Sequence, residues 1–62
     1  MAPHQERVYK EYDELCAKVL ALRTFVSGSM EGVSAEEATR LRYQLYHMRK
    51  YRDILMERIK AF

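Results

Sequence analysis

Residues 28–37 read Gly28-Ser29-Met30-Glu31-Gly32-Val33-Ser34-Ala35-Glu36-Glu37, and this stretch decides the fold. Both glycines of the chain fall within it, and it is the internal run with breaker composition. Gly28 follows a segment with helical apolar spacing, where a helix is expected to stop. Ser34 and Glu37 have the spacing of a capping box, with Ser34 as N-cap and Glu37 three positions on. Val33 is placed to pack back on the turn that follows. Working outward, Pro3 suits the first turn of an opening helix because it has no N–H to leave unpaired there. The sequence therefore predicts a helix over about 4–27, a turn over 28–33 and a helix over about 34–61. At 1.5 Å per residue each helix is roughly 35–40 Å long. So short a connection makes them antiparallel neighbours. The expected fold class is all-α: one antiparallel two-helix hairpin over residues 1–62, assembling into a homo-oligomer.

Apolar spacing gives the reason for expecting assembly. Val8, Tyr12, Leu15, Val19, Leu22 and Val26 form a heptad seam, and Tyr9, Cys16 and Leu20 lie beside it. In the second helix Leu41, Leu45, Met48, Leu55, Ile59 and Phe62 share one arc, with Tyr51 at its edge. Tyr43, Tyr46 and Ile54 fall on the far side. A lone hairpin leaves those outer surfaces in water, and small monomers rarely expose large contiguous apolar patches. A chain of 62 residues also builds only a marginal core. With one cysteine there is no internal disulfide, and no Cys/His cluster offers a structural metal, so association is the staple that is left.

Composition excludes several classes. Two glycines and one proline exclude a Gly-rich phosphate loop and a turn-rich all-β chain. The longest uncharged apolar run, Val19 to Leu22, is far short of a membrane span. Met1-Ala-Pro-His-Gln5 has neither the cationic nor the apolar region of a secretion signal. No nucleophile–base pair, metal spacing or paired carboxylates is visible. An enzyme, a cofactor and a bound metal are not expected.

Charge concentrates in the second half. Residues 1–27 carry four Lys/Arg and four Asp/Glu, whereas residues 34–62 carry seven against four. Arg52 falls near the centre of the second apolar arc, where a heptad wants an aliphatic residue. It needs a salt bridge to Glu11 or Asp13, an aliphatic stem that snorkels out, or a phosphate to contact. Arg58, one turn from the C-terminus, can stabilise the helix end or reach an intersubunit site. His4 lies beside Arg7 outside any apolar stripe, free to stack on a ligand or simply solvated. Lys18 follows Glu14 by four residues, the spacing of an ordinary helical ion pair. Cys16 reads as a small buried residue, Tyr12 and Tyr51 as packing residues, and Tyr43 and Tyr46 as interface residues.

One ordered pattern runs through the chain: Arg7-Val8, Glu11, Glu14-Leu15, Lys18, Leu22 and Phe25, then Leu41, Gln44, Met48, Tyr51, Leu55 and Arg58-Ile59. In this it resembles the helical hairpin of the phage anti-CBASS cyclic-oligonucleotide sponges, a hairpin shared with sponges directed against Thoeris signalling. The resemblance covers about Pro3 to Phe62. It implies a protein that binds cyclic di- and trinucleotide immune messengers and sequesters them uncleaved, in the cytoplasm of an infected bacterial host. It further implies a homo-oligomer, commonly a hexamer, with ligands held between subunits. Carried onto this sequence, it implies His4, Lys18 and the auxiliary cation Arg7 for a cyclic dinucleotide, and Arg58 for a cyclic trinucleotide. His4 stands where the resemblance implies a tyrosine, and Tyr12 is the second candidate for stacking.

Other classes compete. A structural hairpin could use its outer apolar surfaces to bind another protein. A pI near 8.9 and the basic second helix suit nucleic acid, although a net charge of +2 is modest for DNA or RNA. Helical chorismate mutases place Arg, Lys and Gln among helices, as Arg7, Lys18, Gln44 and Arg52 could be placed, but they have a third helix.

Overall fold

The computed structural model describes residues 2–62. It contains two helices and, among the described residues, no strand: α1 spans Pro3–Ser27 and α2 spans Ala35–Lys60. They form an antiparallel rod of 45 × 14 × 14 Å. The open end of the hairpin is marked by Phe62, whose ring lies edge-on to those of Tyr9 and His4 at centroid distances of 5.9 and 6.4 Å.

Local chemistry sets the helix ends. Pro3 opens α1, and the Ala2 N–H donates to Gln5 Oε1 at 3.2 Å. Gly28 ends α1 in an extended conformation, its N–H donating to the Phe25 carbonyl at 3.1 Å. The tight part of the turn lies further on, where Met30 (φ 51°) and Gly32 (φ 79°) take left-handed backbone. Glycine accepts that geometry freely, whereas Met30 adopts it at the cost of Cβ crowding. Ser34 caps α2 by accepting the Glu37 N–H at 3.1 Å. The expected capping box is only half made. Glu37 turns away and accepts from Arg40 Nε at 2.8 Å instead of returning to the cap.

The core is one narrow seam. Val8, Leu15 and Val19 of α1 meet Leu45 and the fully buried Leu55 of α2, with Tyr12, Leu22, Met48 and Ile59 packed around them. Ala38 is also buried, on the same helical line as Leu41 and Leu45. Its small side chain gave the hydrophobic pattern little weight. Three expectations are corrected at the edges of the seam. Cys16 is half-buried rather than enclosed, and Tyr51 and Phe62 are exposed, because a single facing helix covers only the middle of an apolar arc.

Much apolar surface stays outside. Leu20, Phe25, Tyr43, Tyr46 and Ile54 are all exposed. The accessible surface is 4,776 Å², against about 4,200 Å² for a compact folded monomer of 7.4 kDa. Among the described residues, no helix is long and apolar enough to cross a membrane.

Candidate functional site

The first group of candidate residues lies along α1. At 100° per residue, His4, Arg7, Glu11, Glu14 and Lys18 share one face of that helix. His4, Arg7 and Lys18 are exposed. Lys18 forms no ion pair with Glu14. Among the described residues, the side-chain ion pairs within 4.0 Å are Arg40–Glu37 and Arg52–Asp53. The two ends of the row are far apart. Fourteen residues separate His4 from Lys18, about 21 Å along a straight helix. Arg7 and Lys18 are separated by about 16 Å on the same measure.

Tyr12 is placed differently. It turns into the seam, half-buried against the core, about 120° around α1 from Lys18. Its phenol is raised above the ordinary value of 10.0, first by hydrogen bonding to the Cys16 side chain, then by burial and by the charge Cys16 can carry; Arg52 opposes the rise. Within one hairpin, then, Tyr12 does not join His4, Arg7 and Lys18. Arg58 is exposed in the last turn of α2, the end at which Phe62 meets His4 and Tyr9.

Two concave features lie elsewhere. One is a notch of about 230 Å³ where the helices meet, lined by Cys16, Val19, Leu20 and Arg23 of α1 and by Arg49 and Arg52 of α2. Arg52 occupies the seam position expected from the pattern, and its stem lies partly under cover while its guanidinium escapes outward. Its carboxylate neighbour is Asp53, at 3.6 Å, and not Glu11 or Asp13 across the seam. The other is an open cleft of about 600 Å³ on the outer face of α2, lined by Thr39, Arg42, Tyr43, Tyr46 and His47. Tyr46 stands edge-on to His47 at 5.2 Å, and Lys50 Nζ lies 5.4 Å from the Tyr46 ring centre. Sequence spacing flagged Arg52, Tyr43 and Tyr46 but passed over Arg23 and Arg49, whose proximity depends on how the two helices are set against each other. No group of three or more His, Cys, Asp or Glu side chains among the described residues could hold a metal.

A single hairpin thus offers a row of mixed charge along α1, a cationic notch and an aromatic cleft, all open to solvent. A family model described as Sequestin matches residues 2–61. The chain belongs to the Sequestin family. This is a phage anti-CBASS sponge family, and the match takes in every residue of the ordered pattern from Arg7 to Ile59. The Sequestin chain is also similar to a protein of Enterobacteria phage T4 described as "Uncharacterized 7.5 kDa protein in denB-rIIB intergenic region". The two are 40% identical over 63 residues, covering 100% of this chain and 98% of the phage T4 protein. No solved structure matches the chain. Membership of the Sequestin family carries sequestration by a phage protein, a binding role rather than a catalytic one.

Proposed function

We propose that this Sequestin protein takes up cyclic di- and trinucleotide second messengers in pockets built between copies of a homo-oligomer, a hexamer, and holds them unaltered in the cytoplasm of the infected host. The observation that carries this reading is the length of the α1 row. The backbone positions of His4 and Lys18 in one hairpin stand about 21 Å apart along α1. A site that draws His4 and Arg7 from one copy and Lys18 from another brings these groups closer around one ligand. The unpaired outer surfaces of Tyr43, Tyr46 and Ile54 supply apolar area for bringing copies together.

The chemistry suits the ligand class. An imidazole face stacks on a base, and Lys18 and Arg7 neutralise phosphodiester oxygens. A cyclic dinucleotide is roughly two-fold symmetric, so a two-fold interface presents each of these groups twice. A cyclic trinucleotide matches a three-fold axis, with one Arg58 from each of three copies against three phosphates. Tyr12 can serve as a stacking residue only by leaving the seam. That makes His4 the better placed of the two.

Isothermal titration with cyclic di- and trinucleotides, followed by denaturation and chromatography of the released ligand, tests the proposal. The expected result is saturable binding and complete recovery of unchanged ligand. Lack of binding across both ligand sizes, or recovery of a cleaved product, overturns it.

A further inference from the structure

We propose that the notch between the helices is a second anion site, complete within one protomer, that takes a diphosphate group. Three guanidinium side chains line it, Arg23 from α1 with Arg49 and Arg52 from α2. Against these three cations stands one carboxylate, Asp53, 3.6 Å from Arg52 and itself exposed. Arg23 and Arg49 form no ion pair within 4.0 Å among the described residues. Such an arrangement is unfavourable when empty, because like charges gathered in one notch repel one another.

The placement of Arg52 strengthens the case. It stands on the seam line between Met48 and Leu55, where an aliphatic side chain would bury more surface, and its side chain remains one-third exposed at the notch. Guanidinium groups present paired N–H donors that match phosphate oxygens two at a time, so three of them can engage two linked phosphates. The notch, about 230 Å³ and open to solvent on its outer side, has room for a diphosphate beside the three guanidinium groups. Val19 and Leu20 form the apolar part of its lining. The notch also lies away from the His4–Arg7–Lys18 row, since Arg23 is turned about 140° around α1 from Lys18. It stands independently of the reading given under Proposed function.

The test is an NMR titration of the full chain with inorganic pyrophosphate and, separately, with ADP, at constant ionic strength. The chain has seven arginines, whose Nε–H resonances can be followed individually. Saturable shifts confined to Arg23, Arg49 and Arg52, produced by both compounds, are expected. The double variant Arg23→Gln/Arg49→Gln, which alters two exposed residues outside the core, is expected to weaken pyrophosphate binding at least tenfold while its circular dichroism stays unchanged. Equal shifts across all seven arginines mean general screening and overturn the proposal. Binding of ADP without pyrophosphate overturns the diphosphate assignment. Unchanged affinity in the double variant overturns the site.

Discussion

Leu55 and Ile54 are neighbours in sequence on different faces of α2, one fully buried and the other 54% exposed. Truncating each to alanine separates the seam within a hairpin from any contact between hairpins. Leu55→Ala removes three carbons from the seam, about 0.8 kcal/mol each in transfer free energy, and the residual cavity brings the loss to about 3–4 kcal/mol. A chain of 62 residues at about 0.05–0.15 kcal/mol per residue has about 3–9 kcal/mol of total stability. The loss is therefore a large part of the whole. With an unfolding entropy of about 2.1 cal/mol/K per residue, each kcal/mol shifts the midpoint by about 8 °C, so Leu55→Ala is expected to melt about 25–30 °C lower. Ile54→Ala costs less than about 1 kcal/mol in an isolated hairpin, because its side chain is already half in water. If another copy covers Ile54, the Ile54→Ala deficit is largest in concentrated protein and shrinks towards the isolated-hairpin value on dilution, because association couples to stability by mass action. Thermal melts followed by circular dichroism at two concentrations a hundredfold apart read both effects. A Leu55→Ala midpoint within a few degrees of the parent would refute the seam, and an Ile54→Ala deficit independent of concentration would refute a covered outer face.

Ser34→Ala removes the oxygen that accepts the Glu37 N–H and is expected to lower stability by about 1 kcal/mol, measured as a shift in the urea midpoint with unchanged slope. The raised Tyr12 phenol means that the folded state holds its proton more tightly than the unfolded chain. That contribution is fully present below pH 10.0 and is lost as pH rises through the elevated folded value. Tyr12→Phe should accordingly flatten the alkaline fall in stability, read from denaturation midpoints across that pH range. Lys18→Ala is expected to weaken cyclic dinucleotide binding at least tenfold and leave trinucleotide binding unchanged, and Arg58→Ala the reverse, by titration calorimetry. Normal binding in both variants would place the sites elsewhere.

The hairpin was legible because its signals are local. Pro3, the Ser34 cap and the three-and-four spacing of Val8, Leu15, Val19, Leu45 and Leu55 each act within one or two turns of helix. Glu37 was misread for a local reason too, since Arg40 competes for its carboxylate from one turn on. The surfaces were less legible. Arg23 and Arg49 become neighbours only once the relative setting of two helices is known. Arg52 stood out as a charge in an apolar line, but the partners read for it, Glu11 and Asp13, lie across the seam, and the neighbouring Asp53 was not among them. Its choice of Asp53 is set by where the guanidinium emerges. The row of His4, Arg7 and Lys18 came from family resemblance and not from periodicity, which sees only a solvated face. Its length along α1 is what turns that resemblance into a statement about more than one copy.

Native mass spectrometry of the protein saturated with a cyclic dinucleotide measures the copy number and the bound ligand together. The expected species is six chains of 7.4 kDa carrying ligand of unaltered mass. A single 7.4 kDa chain holding its own ligand would contradict a pocket shared between copies.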